Sequence, residues 1–259
     1  MAYKVCIDPG HGGSDSGAVT GKHVEKTYNL DTALSCRDEL QRYGVKVVMT
    51  RTTDKFLSLE RRCEIANQNG CDYFVSIHHN SGGGDRGEVI YSKAEGNGLQ
   101  MAHKIAKEMK VDMGQTEVKE YKRLNKSGKT DYYAVIRRTN MPANIVEICF
   151  LDNKKDVEIA DTLAERKRNG KEIAQGILKH LGIKVDEKGG EDMVDKIVLY
   201  HGDADVFAAI VVAQKHKCPM MKESDFKISG LKAKEVVQIG GKAEDANRFQ
   251  TFKNAAKLL

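Results

Sequence analysis

Short apolar runs alternate with helical patterns through most of this chain, and that alternation constrains its fold more than any other feature. The apolar runs predict strands at Tyr3–Asp8, Val45–Thr50, Tyr73–His78, Val89–Ser92, Tyr133–Ile136 and Asn144–Ile148. The helical spacing predicts helices at Glu25–Tyr43, Leu59–Gln68, Gly98–Met109 and Leu163–Leu181. Strands that alternate with helices build βαβ units, so we expect an α/β fold with a mostly parallel, twisted sheet flanked by helices.

Residues 111–131 interrupt this alternation with a polar, Lys-rich sequence. A loop of that length inside a compact domain is usually functional or mobile. We favour a groove wall over a functional site, with a plain flexible insertion as the alternative.

A polar, Gly-bearing stretch at residues 185–193 divides the chain in the manner of a linker. We therefore expect one domain at residues 1–184 and a small α/β domain at residues 194–259. The strands and helices predicted for the second domain are Lys196–Tyr200, Ala204–Lys215, Glu235–Ile239 and Ala243–Leu259. Because so small a domain is only marginally stable alone, we expect it to self-associate.

The composition argues against several classes of protein. Hydrophobic residues make up 40% of the 259 residues, enough for a sizeable core, but no apolar run is long enough to cross a bilayer. The formal net charge of +5 favours an anionic polymer as partner, while the lack of basic runs interleaved with aromatics argues against nucleic acid. The six cysteines form no Cys-x-x-Cys pair and the first residues lack a signal-peptide pattern, so we expect reduced cysteines and no leader.

Three side chains near strand or helix ends predict a metal site. His11 follows the first strand in a Gly-rich turn, Glu25 opens the first helix, and His78 ends a later strand. Open parallel sheets place their ligand sites outside the carboxyl ends of the strands. Two imidazoles and one carboxylate form a ligand set that leaves the fourth position of Zn²⁺ open, as catalytic zinc sites do. Together the three residues predict catalytic Zn²⁺.

Each of these residues also has an ordinary structural interpretation. The helix dipole favours Glu25 at a helix start, His11 suits a turn, and His78 could be a core histidine. The third ligand has a rival as well, because adjacent strand residues point to opposite faces and only one of His78 and His79 can readily face the metal. We favour His78, with His79 as a wall or a substrate-contacting group.

A series of short motifs runs through residues 2–182. They are Asp8-Pro9-Gly10-His11-Gly12, Glu25 with Asn29-Leu30, Gly44-Val45 with Thr50-Arg51, Leu59 with Arg62, Ala66 and Asn67, Ser76-Ile77-His78-His79-Asn80, Gly87-Glu88-Val89, Met141-Pro142-Ala143, and Val146-Glu147 with Phe150 and Asn153. In this order they resemble the zinc-dependent N-acetylmuramoyl-L-alanine amidases of amidase type 3. The resemblance implies zinc ligands at His11, Glu25 and His78, and a catalytic carboxylate at Glu147.

The resemblance also implies a reaction. Zn²⁺ would polarise the amide carbonyl and activate water, while Glu147 would accept the water's proton and pass it to the leaving amine. Glu147 lies within an apolar run, where a surface carboxylate is a poor alternative. Asp8 is expected to orient His11, as acceptors near ligating imidazoles do. Arg137 and Arg138 are expected either to contact peptide carboxylates or to pair with surface acids.

The segment from residue 194 to residue 259 shows a second resemblance. Its distinctive residues are Leu199-Tyr200, Gly202-Asp203-Ala204-Asp205 and Val236-Val237-Gln238-Ile239-Gly240-Gly241. They resemble the small α/β modules with which clostridial surface proteins and phage endolysins bind cell walls. The resemblance implies a cell-wall-binding domain with a wall polymer as its partner.

The linker has two interpretations. Lys188-Gly189-Gly190-Glu191 can be encoded by a bacterial ribosome-binding sequence shortly before Met193. Internal initiation at Met193 would then make a separate wall-binding module that associates with the full-length enzyme. A Gly-rich linker followed by a chance methionine explains the same residues equally well.

From these features we predict a phage-type endolysin that cuts bacterial peptidoglycan between muramic acid and L-alanine. It would stay in the cytoplasm of the host bacterium before lysis and then act on the wall. Three alternatives stay open: a host autolysin of the same chemistry, a zinc peptidase acting on stem-peptide bonds, and a non-catalytic wall-binding protein.

Overall fold

The computed structural model describes residues 3–185, 193–229, 232–240 and 248–258. The chain divides into two compact units, Met1–Val185 and Asp186–Leu259. Most of the segment predicted as a linker, residues 186–192, lies outside the described residues. Among the residues that are described, no helix combines the length and the apolar character needed to cross a membrane.

A six-stranded sheet forms the centre of the N-terminal unit. Its strands are β1 (Lys4–Pro9), β4 (Lys46–Met49), β5 (Tyr73–Asn80), β6 (Gly87–Tyr91), β7 (Val118–Tyr121) and β8 (Ala143–Phe150), and a separate hairpin contains β2 (Val19–Thr20) and β3 (His23–Val24). The strand order is β4-β1-β5-β8-β6-β7, and the first four of these strands are parallel. β6 runs antiparallel to β8 and parallel to β7. The prediction of a mostly parallel α/β sheet is confirmed.

Helices cover both faces of this sheet. They are α1 (Glu25–Arg42), α2 (Leu59–Gln68), α3 (Gly96–Val111), α4 (Ala134–Arg138) and α5 (Leu163–His180). α1, α3 and α5 pack on one face, where Leu40, Ile105 and Ile173 meet Ile77 and Val146 of the sheet. α2 and α4 cover the other face through a smaller apolar cluster: Cys6, Cys63, Phe74, Val135, Ile136 and Ile145. The side chains of one strand therefore alternate between two cores.

One predicted strand of this unit is wrong. Residues Tyr133–Ile136 lie at the start of the short helix α4, with Tyr133 as its N-cap. Arg137 stabilises the turn before the helix by donating to the carbonyl oxygens of Asp131 and Tyr132. Four apolar residues are too few for periodicity to distinguish a strand from one helical turn.

Residues 111–131 also contain regular structure that the sequence did not indicate. β7 lies in this segment and pairs with β6 at the edge of the sheet. An isolated antiparallel bridge between Leu124 and Asp131 then closes a hairpin. An edge strand of four residues with charged side chains carries too little apolar periodicity to be predicted.

The C-terminal unit is a small α/β domain built on a three-stranded sheet. Its elements are β9 (Met193–Tyr200), α6 (Val206–His216), β10 (Met220–Lys222), α7 (Glu223–Ser229), β11 (Lys232–Ile239) and α8 (Arg248–Ala256). The strands are all parallel, in the order β10-β9-β11. Val198, Val212 and Ile239 form the centre of its core.

Two elements of the C-terminal unit were missed, β10 and α7. They contain three and seven residues, too short for either periodicity to show. The last predicted helix, Ala243–Leu259, is present as α8, although residues 243–247 and 259 lie outside the described residues.

Candidate active site

The site lies where the parallel strands of the larger sheet end. His11 follows the end of β1, and His78 lies near the end of β5, two residues before Asn80. His78 is in register with Glu147 of β8, so the two side chains leave neighbouring strands on the same face. Sheet topology therefore brings together residues that are far apart in sequence.

The three predicted metal ligands converge at this point. Oε1 of Glu25 lies 3.1 Å from Nε2 of His11 and 3.0 Å from Nδ1 of His78. One potential ligand atom from each residue lies within 4.8 Å of the others. A tetrahedral ion with bonds of about 2.0 Å needs donors about 3.3 Å apart, close to the separations found here. The donor set and its spacing fit Zn²⁺.

The electrostatics of the three residues agree with a cation at their centre. Burial opposes charge on each of them, but their mutual hydrogen bonds and charges are stronger. The pKa of His11 is raised to about 9 against the effect of burial, by Glu25 and Asp15. The pKa of Glu25 is held well below its usual range by His11 and His78, although burial alone would raise it. A metal ion would replace the imidazole protons as the positive partner of Glu25.

Two glycines leave room for these side chains. A Cβ on Gly10 would overlap the imidazole of His78. A Cβ on Gly17, which has φ 63°, would overlap the Glu25 carboxylate and the ring of His11. Glycine is thus required where the backbone passes closest to the ligand group.

Asp15 orients the imidazole of His11. Nδ1 of His11 lies 2.8 Å from Oδ2 of Asp15, which leaves Nε2 facing Glu25. An acceptor on the second ring nitrogen fixes the tautomer and direction of a ligating imidazole. The sequence assigned this role to Asp8, and the assignment is wrong. Asp15 lies in an irregular Gly-rich turn after β1, so no strand or helix period pointed to it.

Asp8 instead stabilises the turn that carries His11. Its buried carboxylate accepts hydrogen bonds from Thr50, Ser76 and Arg62. The same Arg62 donates to the carbonyl oxygens of Pro9 and His11. The pKa of Asp8 is lowered because the Arg62 charge and these hydrogen bonds outweigh its burial.

A cavity of about 220 Å³ opens beside the ligand group. His11, His78 and Glu147 line it together with residues 56–59 on one side and 133–135 on the other. Its walls are therefore the segment before α2 and the start of α4. Residues 111–131 do not line this cavity, but the hairpin they form carries Arg123, which contacts the lining residue Tyr133, so a groove wall from this segment stays a prediction.

Glu147 has the properties of a group that exchanges protons. Its Oε2 is buried and has no hydrogen-bond partner among the described residues. Burial raises the pKa of Glu147 to about 7, with further contributions from Glu25 and Glu88, partly offset by His78. Glu88 is in register with Glu147 on the neighbouring strand. A carboxyl group with a pKa near neutrality is suited to general acid–base catalysis.

His79 lies on the opposite face of β5 and is buried. Its Nδ1 lies 2.8 Å from Oδ1 of Asn29, whose amide nitrogen is 3.2 Å from both Oε1 of Glu25 and the carbonyl oxygen of Gly10. Burial lowers the pKa of His79 to about 3, so the ring is neutral and its Nδ1–H donates to Asn29. His79 therefore supports the predicted ligand Glu25 through Asn29 and is not among the residues that line the cavity.

Arg137 and Arg138, predicted either to contact peptide carboxylates or to pair with surface acids, both make contacts within the protein. Arg137 donates to backbone carbonyls before α4. Arg138 forms an ion pair with Glu60, which agrees with the second of the two predicted roles. Neither guanidinium lines the cavity.

Comparisons with known proteins concern the same segment. The N-acetylmuramoyl-L-alanine amidase family matches residues 5–179, a range that contains His11, Glu25, His78 and Glu147. The N-acetylmuramoyl-L-alanine amidase CwlM of Bacillus licheniformis is 39% identical over 157 residues, which are 60% of this chain and 59% of that protein. The sporulation-specific N-acetylmuramoyl-L-alanine amidase of Bacillus subtilis is 36% identical over 68% of this chain and 69% of its own length. The solved catalytic domain of CwlV, the amidase of Bacillus (Paenibacillus) polymyxa, is 33% identical with a TM-score of 0.62, over 70% of this chain and 99% of that domain.

Proposed function

This chain belongs to the N-acetylmuramoyl-L-alanine amidase family, and on that premise we propose that it hydrolyses bacterial peptidoglycan at the amide bond between N-acetylmuramic acid and L-alanine. The observation that carries the proposal is the convergence of His11, Glu25 and His78 beside Glu147 at one cavity. A ligand group alone would only bind a metal. The neighbouring carboxyl group with a raised pKa adds the means to move a proton.

We propose that His11, Glu25 and His78 hold Zn²⁺. Two imidazoles and one carboxylate at this spacing support that choice over a harder cation, which prefers oxygen donors throughout. When bound, Zn²⁺ supplies a Lewis acid for the amide carbonyl and for the attacking water. The chain keeps the donors converged through Asp15 on His11 and Asn29 on Glu25.

Glu147 is the proposed catalytic base. It accepts a proton from the attacking water at its carboxylate and then delivers that proton to the leaving amine of L-alanine. Val135 and Ile145 line the same cavity as Glu147, whose Oε2 is buried. This environment accounts for the raised pKa of Glu147 and keeps the group able to exchange protons near neutral pH.

Mass spectrometry of digested peptidoglycan tests the reaction. The wild type should release peptides with a free L-alanine amine and leave sugars with a free lactyl carboxyl. Glu147→Gln should lower the rate at least about 100-fold, since positioned acid–base groups contribute that much or more. Glu158→Gln, which removes an exposed carboxylate of the same unit, is the matched control. Unchanged hydrolysis by Glu147→Gln would refute the assigned mechanism.

The same digests separate the alternatives from the proposal. New carboxyl ends within the peptides would identify a zinc peptidase acting on stem-peptide bonds. Sedimentation with walls without any product would identify a non-catalytic wall-binding protein.

We further propose that the C-terminal unit binds a cell-wall polymer. The resemblance of its residues to wall-binding modules supports this role, and the unit lies beyond the family match, which ends at residue 179. Co-sedimentation of the full chain with purified walls tests it. Binding should fall when secondary polymers are extracted from the walls, and equal binding to extracted walls would contradict a polymer ligand.

Self-association of the C-terminal unit is also a proposal. One face of α6 buries Ala209 and Val212 in the core, while Phe207 and Val211 are 72% and 44% exposed on another face of the same helix. A helix that is apolar on more than one face usually has a second partner. Phe207→Glu should lower the mass of the full chain in sedimentation equilibrium, whereas Ser224→Glu, which adds the same charge at an exposed position of α7, should not. A monomeric wild type would contradict the proposal.

We also keep the proposal of a shorter product that starts at Met193. This product would associate with the full-length chain through the same exposed face of α6. Met193 opens β9, so a chain that starts there would still contain β9, β10 and β11. Expression of Met193→Leu should remove a short product seen with the wild type. Persistence of the same product in that variant would contradict internal initiation.

We propose a phage endolysin that stays in the host cytoplasm until lysis and then reaches the wall. The resemblance of the C-terminal residues to endolysin modules supports this source. The sporulation-specific relative supports a host enzyme of the same chemistry as the alternative. Fractionation of producing cells before and after lysis distinguishes them, because a host enzyme that acts on the wall should be found there before lysis.

A further inference from the structure

Arg123 is an immobilised cation with no role so far. It lies on the exposed hairpin after β7, and its guanidinium carbon is 4.1 Å from the ring centre of Tyr132 and 5.7 Å from that of Tyr133. The two rings pack edge to face with centroids 5.2 Å apart. Nη1 of Arg123 also lies 3.3 Å from the hydroxyl of Tyr133. Stacking and the hydrogen bond fix the guanidinium before any ligand arrives, which lowers the entropic cost of binding.

Arg123 differs from other cations nearby because it lacks an acidic partner among the described residues. Lys122 pairs with Glu95, and Arg138 pairs with Glu60. Arg123 forms no ion pair with any acid in the part of the chain that the structure describes. Its remaining N–H groups are therefore available to an external anion, a situation that favours bidentate recognition of a planar carboxylate.

Arg123 adjoins the cavity of the active site. Its partner Tyr133 lines that cavity together with Glu147. Tyr121, the last residue of β7 before this hairpin, donates its hydroxyl to Glu88, the strand neighbour of Glu147. One aromatic side chain thus separates an unpaired cation from the site of the proposed reaction.

We propose that Arg123 binds a carboxylate of the stem peptide on the leaving-group side of the scissile amide. The inference rests on the proposed function and specifies its substrate. The second residue of a stem peptide carries a carboxylate unless that group is amidated, and it lies about 7 Å along an extended chain from the scissile bond. Arg123 therefore makes the enzyme selective for walls whose stem peptides are not amidated there. Wall phosphates offer similar chemistry, and the experiment separates the two sources.

Steady-state kinetics on soluble muramyl tetrapeptides test this role. One substrate carries a free carboxylate on its second residue, and the other carries a carboxamide at the same atom; neither contains phosphate. The wild type should have a KM about 10- to 100-fold lower for the free carboxylate, the range of a charge-assisted hydrogen bond, with similar kcat. Arg123→Ala should raise the KM of the free carboxylate to that of the carboxamide. Arg123→Lys should fall between, because it keeps the charge but loses the planar fork.

Lys126→Ala is the matched control, since it removes an exposed cation from the same hairpin. It should retain the preference of the wild type. Equal KM values for the two substrates in the wild type, or an unchanged preference in Arg123→Ala, would overturn the proposal. An effect of Arg123→Ala on phosphate-bearing walls alone would assign the residue to wall phosphate and would also overturn it. Failure of the wild type to release L-alanine amines from either tetrapeptide or from intact walls would instead refute the proposed function.

Discussion

Two groups of acidic or imidazole side chains in the N-terminal unit are close enough to share a metal ion, and they differ in almost every other respect. The first consists of His11, Glu25 and His78 at the strand ends. The second consists of three carboxylates on and after α3 and on α5: Glu108, Asp112 and Glu172. The first group mixes imidazole with carboxylate and adjoins a cavity next to Glu147. The second already has a cation, because Lys179 pairs with Glu108.

This difference shows that proximity of potential ligands does not define a metal site. In the first group the imidazoles and the carboxylate attract each other, so the charged form of Glu25 is favoured. In the second group the carboxylates repel each other, and the pKa of Glu172 is raised to about 7 by burial and then by Asp112 and Glu108. The first group is expected to bind a metal ion, and the second is expected to bind a proton.

The largest expected difference between the two groups is in the effect of their variants on zinc affinity. His78→Ala should weaken the affinity on the order of 10³-fold, because loss of supporting residues around a metal already costs about 10- to 100-fold and this variant removes a ligand itself. Competition of the metal-free protein with a chromophoric chelator measures the affinity. Glu172→Ala removes a ligand from the second group and should leave the affinity unchanged. The reverse pattern would place the metal in the second group.

Removal of Arg62, which supports the turn that carries His11, should cause the largest loss of unfolding free energy. Arg62 and Asp8 are 3% and 1% exposed, so Arg62→Ala leaves a buried carboxylate without its cation. The expected loss is about 3–5 kcal/mol of unfolding free energy. Urea denaturation at pH 7 measures it. Arg61→Ala breaks the exposed pair with Glu64 and should cost less than about 1 kcal/mol, and equal losses for the two variants would contradict the structural role of Arg62.

Asp15 offers a smaller test of the same group. It is not one of the proposed ligands, and its carboxylate contacts the His11 ring at Nδ1. Asp15→Ala should therefore weaken zinc affinity about 10- to 100-fold while the melting temperature without metal changes little. Asp38→Ala removes an exposed carboxylate from α1 and should leave the affinity unchanged. An unchanged affinity in Asp15→Ala would show that His11 is oriented by its backbone alone.

The sequence predicted the first group far better than its surroundings. His11, Glu25 and His78 lie at ends of strands and helices, where local periodicity and the rule for parallel sheets both indicate a site. Asp15 was missed because its contact depends on a left-handed backbone at His11, with φ 58°, which no periodicity encodes. Arg123 was missed because its surroundings form only when the hairpin brings it back to Tyr132 and Tyr133.

The strand order of the sheet could likewise be predicted only in part from the sequence. Parallel pairing of the strands at its centre follows from the alternation of strands and helices. The antiparallel β6 and the edge strand β7 depend on contacts between segments distant in sequence. The position of Glu88 beside Glu147 could therefore be known only from the fold.

The titration of Glu172 gives the smallest expected effect and tests the second group directly. Its folded pKa of about 7 lies above the unfolded value of about 4.3, so the folded state binds more protons in between. The stability contributed by protonated Glu172 is therefore present at low pH and is lost as the pH rises from about 4.3 through 7. Glu172→Gln should melt at least about 2 °C above the wild type at pH 8 and with little difference at pH 4. Glu158→Gln makes the same change of charge at an exposed position and should show no such dependence. Equal melting of Glu172→Gln and wild type at both pH values would mean that Lys179 neutralises all three carboxylates, and the contrast between the two groups would then rest on donor type alone.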